Sequence, residues 1–111
     1  MKWTIDYYSQ QVQDFVDEMP VGIRASYAKL TELLVEFGET VRMPHSRPMG
    51  GGLFELRPKG REGIARVFYC MVISKRVVML HGIIKKTEET PREELDIAML
   101  RMKEVKNEYR K

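Results

Sequence analysis

Two apolar-rich runs, Ile64–Ile73 and Arg76–Ile84, are separated only by Ser74-Lys75. So short a link cannot carry the crossover that parallel neighbours need, so the two runs must pair antiparallel. A third run, Leu53–Arg57, precedes them across the Pro58–Gly63 turn, which is also too short for a helical crossover. The middle of the chain is therefore expected to form a small antiparallel sheet, and the remaining segments must fold around it.

Before this sheet, Lys2–Tyr8 alternates with Trp3, Ile5 and Tyr7 on one side, as a strand does. Ser9 can cap a short helix whose apolar stripe is Val12, Phe15, Val16 and Met19, and Pro20 stops it. Ile23, Tyr27, Leu30, Leu34 and Phe37 then mark one buried face of a second helix, with Gly38 as its C-terminal stop. Residues 39–52, with Pro44, Pro48 and Gly50 to Gly52, read as a loop. After the sheet, Thr90, Pro91 and Glu93 form a capping box with proline at the first helical position. Leu95, Ala98, Met102, Val105 and Tyr109 supply the stripe of that last helix. The order strand, two helices, three strands, helix predicts an α+β domain over 1–111. Its helices should pack mainly on one face of a small twisted antiparallel sheet. The other face should be free.

The charge is unevenly distributed. Residues 1–41 carry three basic and seven acidic side chains, whereas residues 42–86 carry ten and two, a local net of +8 in a chain of net +3. Such a segment suits a polyanion, and equally suits a solvated basic surface that protects sheet edges. The single Cys70 excludes an internal disulfide and fits a reducing cytosol. The first residues lack the apolar core of a signal peptide, and no apolar run approaches the roughly 20 residues of a membrane span. A cytoplasmic protein with no membrane contact is expected. Zinc-ligand spacing, a P-loop and a dinucleotide fingerprint are all missing from the sequence, so neither metal nor cofactor is expected.

Four pieces stand in a suggestive order: Gly52-Leu53-Phe54-Glu55-Leu56-Arg57, Gly63-Ile64-Ala65-Arg66-Val67-Phe68-Tyr69, Leu80-His81-Gly82-Ile83-Ile84-Lys85-Lys86-Thr87, and Thr90-Pro91. From about residue 50 onward the chain resembles the RelE/ParE toxin superfamily, most closely its HigB-like, phage-derived branch. The resemblance implies a RelE-like fold with an N-terminal helical hairpin and a C-terminal helix. It also implies the toxin of a type II toxin–antitoxin pair, an endoribonuclease acting on mRNA, in many members on the ribosome. The implied partner is a cognate antitoxin, often a helix-turn-helix protein. Two other outcomes fit the same resemblance: a ParE-like toxin that acts on DNA gyrase without nuclease chemistry, and an inactive phage-derived protein.

Metal-independent cleavage by 2′-hydroxyl attack needs a base, cations for the crowded phosphorane and an acid for the leaving oxygen. Arginine suits the middle task because its planar fork grips two phosphate oxygens. Arg57 and Arg66 are the first candidates, Arg66 because it matches the arginine of the family's R-V-x-Y element. Lys85 and Lys86 follow the third strand, and alternation sends only one of them to the arginine face. Lys59, Arg61 and Arg47 are candidates for holding RNA phosphates. Glu55 has two readings, a base or a group that orients Arg57. Tyr69 either stacks on a base or passes a proton, or else belongs to the core. His45 lies in the loop within reach of the site, while His81 reads as a hydrogen-bonded interior histidine.

Overall fold

The computed structural model describes residues 2–85 and 89–109, and the side chain of Lys85 also lies outside the description. The elements are β1 (Thr4–Tyr7), α1 (Gln10–Asp17), α2 (Val21–Phe37), a 3-10 turn (Gly38–Thr40), β2 (Ser46–Gly50), β3 (Leu53–Leu56), β4 (Lys59–Gly60), β5 (Gly63–Val72), β6 (Arg76–Lys85) and α3 (Arg92–Tyr109). The α+β class and the hairpin–sheet–helix order agree with the RelE-like arrangement.

Local chemistry accounts for the helices. The Ser9 hydroxyl accepts the Val12 N–H at 3.3 Å and caps α1. Ile23, Tyr27, Leu30 and Leu34 are buried along α2 as their spacing requires, but Phe37 is 55 % exposed. The stripe ends there because the chain turns at Gly38, against which the Trp3 ring packs. α3 starts at Arg92, one residue later than expected, and the Pro91 carbonyl accepts the N–H groups of Glu94 and Leu95 at 3.1 and 3.2 Å.

The strands lie in the order β1-β6-β5-β3-β2, with β4 pairing on β5. β5 and β6 form the expected hairpin, and Ser74 and Lys75 turn it with φ of 63° and 53°. Three expectations need correction. First, the sheet is mixed: β1 runs parallel to β6, with Thr4 opposite Arg76 and Tyr7 opposite Met79. Several elements separate the two strands in sequence, which supplies the long connection that parallel pairing demands. Second, residues 39–52 are not simply a loop. Ser46–Gly50 forms β2, an edge strand, which is where a sheet tolerates a proline such as Pro48.

The third correction concerns the faces. α1 and α2 pack with Leu56, Ala65, Val67, Tyr69, Val77 and Met79. α3 packs its Ala98, Met102 and Val105 on Leu53, Phe68, Cys70, Val78 and Leu80. The face expected to be free is thus roofed by α3. The helix must bury its stripe somewhere, and Ala65 to Cys70 are buried on alternate sides without a break, as in a strand covered twice. Among the described residues, no helix is long and apolar enough to cross a membrane.

Candidate functional site

Strand register decides which charged residues meet. In the β3–β5 ladder Glu55 lies opposite Phe68 and Leu56 opposite Val67, so position 57 falls across from Arg66. Leu53, Glu55 and Arg57 therefore share the α3 side with Arg66 and Phe68. In the β2–β3 ladder Arg47 sits opposite Glu55, which puts it on the same side. Extending that ladder by one residue sets His45 across from Arg57. Lys59 pairs with Ile64, which pairs in turn with Lys85, forming the next row toward the end of the sheet.

At the centre of this group is a buried carboxylate. Glu55 is fully buried, its Oε2 lies 3.3 Å from Arg66 Nη1, and its Oε1 lies 3.6 Å from Arg57 Nε. Neither oxygen reaches hydrogen-bond geometry, so Glu55 is held mainly by charge. Arg66 is itself 3 % exposed and also donates through Nη1 to the Thr90 hydroxyl, just before α3. The Arg57 side chain is 28 % exposed. It commits Nε to Glu55, which leaves its terminal amino groups as the accessible part of the pair. A buried carboxylate thus lies beneath a partly exposed guanidinium and attracts it by charge, without a hydrogen bond to set its orientation; the exposed part of the fork can meet a phosphate.

Other expected residues fall elsewhere. Tyr69 is buried on the opposite side of the sheet among the α1–α2 core. Its hydroxyl bonds the Ser46 hydroxyl, its ring stacks on Phe54 at 5.5 Å between centroids, and burial raises its pKa. The whole sheet separates it from Arg57, so its place is that of a core residue. Arg61 lies exposed in the β4–β5 turn, and exposed Lys59 is held by its N–H on the Ser26 hydroxyl at 3.0 Å. Lys86 lies outside the described residues. The basic segment as a whole is not one patch, since Arg76 sits at the opposite end of β6, bonded to Asp6 at 2.9 Å.

A second polar group lies beside the first: His81 is the hydrogen-bonded, largely interior histidine expected, and its partners on α3 are what the sequence reading lacked. His81, opposite Phe68 in the ladder, has Nε2 within 3.2 Å of Glu94 and Nδ1 3.5 Å from Arg101 Nη1. Arg101 also donates to the Leu80 carbonyl at 2.8 Å and stacks 4.8 Å from the Tyr8 ring centroid. The signal was available: Thr90, Glu94 and Arg101 are four and seven residues apart, one face of a helix. That face meets β5 and β6. Among the described residues, no three His, Cys, Asp or Glu side chains converge as a metal ion would require.

A family model described as phage-derived protein Gp49-like (DUF891) matches residues 14–103. The chain belongs to the Gp49-like family. A search of the curated proteins found no match. In this Gp49-like chain the matched region runs from within α1 to within α3. It therefore contains the Arg47–Glu55–Arg57–Arg66 group and the His81–Glu94–Arg101 group entire.

Proposed function

We propose that this Gp49-like protein is a toxin of a type II toxin–antitoxin pair, of the HigB kind, that cleaves mRNA by metal-independent attack of the 2′-hydroxyl. The reading rests on one observation: Arg47, Arg57 and Arg66 share one end of the α3 side of the sheet, and Arg57 is partly exposed above the buried Glu55 carboxylate. Arg57 meets the phosphate and stabilises the charge that builds on its oxygens. Arg47 holds the neighbouring phosphate, and Lys59 and Arg61, at the β4–β5 turn beside α2, hold more distant ones. Glu55 acts through Arg57, because a fully buried carboxylate cannot take a proton directly from RNA. Among the described residues His45 is the proton carrier proposed for this end of the sheet; Lys85 and Lys86 are proposed beside it from the sequence alone. The proposed surroundings are cytoplasmic. The proposed partners are mRNA, on or off the ribosome, and a helix-turn-helix antitoxin whose acidic segment covers the cations.

The test is induction in a bacterial host of the wild type, Arg57→Ala and Arg57→Lys, with primer extension on cellular mRNA. Loss of the fork should reduce cleavage on the order of 100-fold in both variants while each stays folded. Growth arrest with intact messages and damaged DNA would replace the proposal with a ParE-like action on gyrase. Expression without arrest would indicate an inactive phage-derived protein.

A further inference from the structure

β1 pairs with β6 only as far as Met79, and Arg101 takes the Leu80 carbonyl. From His81 onward the outer edge of β6 therefore faces no strand among the described residues. A cleft of about 150 Å³ opens at this edge between α1 and α3, lined by Gln11, Val12, Phe15, His81, Gly82 and Arg101. Its apolar wall exists because residue 82 is glycine: a β-carbon there would overlap the Phe15 ring, which lies directly against the strand backbone. Its polar wall is rigid, since His81 is held by Glu94 and Arg101, and Arg101 is held by Leu80 and Tyr8. The exposed amide of Gln11 stands at the rim.

We infer that this cleft binds a single nucleobase of pyrimidine size. A cavity on the order of 150 Å³ accommodates one benzene-sized ring, well below the volume a larger ligand needs. An aromatic face, an amide and a fixed guanidinium are the groups with which proteins stack and read an unpaired base. The ladder places His81 diagonally from Arg66 on the same side of the sheet, a separation of roughly 7–8 Å. The inference rests on the RNA reading for its biological occupant, but the base–cleft contact can be measured without any cleavage.

The experiment is titration of the ¹⁵N-labelled full chain with uridine, which has no phosphate, and separately with ribose 5-phosphate, which has no base. Uridine should shift the amide resonances of Gln11, Phe15 and Gly82, and ribose 5-phosphate should leave them in place. Phe15→Ala should weaken uridine binding at least about fivefold, the low end for losing one base–aromatic stack. Gln11→Ala, at an exposed helix position, should weaken it without disturbing the fold, and Arg57→Ala should leave it unchanged. Resonances unmoved at millimolar uridine would overturn the inference. So would equal shifts from ribose 5-phosphate, or undiminished binding by a folded Gln11→Ala protein. If uridine binds while mRNA stays intact in cells, the cleavage reading fails and the base site stands.

Discussion

Arg66→Ala should strongly destabilise the fold around Glu55. The substitution leaves the fully buried Glu55 carboxylate facing Arg57 Nε at 3.6 Å, without the guanidinium at 3.3 Å. Breaking a buried ion pair from one side costs about 3–5 kcal/mol, because the remaining charge has lost its compensation. A domain of this size has about 5–15 kcal/mol in total, and each kcal/mol moves Tm by about 4 °C. Urea melts followed by far-UV circular dichroism should therefore show a loss of about 3–5 kcal/mol, and thermal scans a fall of about 12–20 °C. Removing both charges with Glu55→Leu and Arg66→Met should restore stability to within about 1.5 kcal/mol of the wild type, since an apolar pair needs no compensation. A single variant within about 1 kcal/mol of the wild type would refute the reasoning. A double variant as unstable as the single one would do the same. For the same reason, activity lost in Arg66→Ala says nothing about chemistry, and the half-exposed Arg57 is the residue to change.

Three further outcomes follow from the geometry. The Glu62 carboxylate accepts the Gly22 N–H at 2.9 Å at the start of α2, and this bond and its neighbours lower its pKa from the ordinary 4.5. Its contribution is complete above pH 4.5 and fades as pH falls through the lowered value, so Glu62→Gln should flatten the acid limb of a Tm–pH curve. Burial pushes the Cys70 thiol up to about 11. A thiol reagent at pH 8 should label the native chain far more slowly than the urea-unfolded chain, and equal rates would contradict the buried placement. Gly38 has φ of 52°, and a β-carbon there would overlap the Trp3 indole. Gly38→Ala should cost at least about 2 kcal/mol in urea melts, from the left-handed backbone and the displaced ring together.

What the sequence disclosed divides along the range of the interactions involved. The α1 and α2 stripes, the Ser9 cap and the β5–β6 hairpin rest on neighbours a few residues apart, and all could be read in advance. β2 could not, because Pro48 and the nearby glycines mask a strand that exists only through its pairing with β3. The partner of β1 was hidden for the same reason. The roof over the second face is legible in the sequence: Val67, Phe68, Tyr69 and Cys70 show no polar alternation, and the α3 stripe needs a surface to cover. Alternation also puts Arg57 and Arg66 on one side, but their depth depends on α3, and depth decides which of them solvent can reach. The bonds of Thr90 to Arg66, and of Glu94 and Arg101 to His81, are not legible locally because these partners lie on β5 and β6, far away in sequence.

The parallel seam between β1 and β6 also sets an order of assembly. Residues near the start of the chain find their strand partner only when Arg76–Met79 are available. During synthesis the helical hairpin must wait, with its apolar stripe uncovered, until β6 has left the ribosome. The arginine-bearing strands are complete by then, yet α3, which covers Arg66, follows them in the chain. The buried environment of Glu55 and Arg66 is therefore not finished until α3 has been made and has docked.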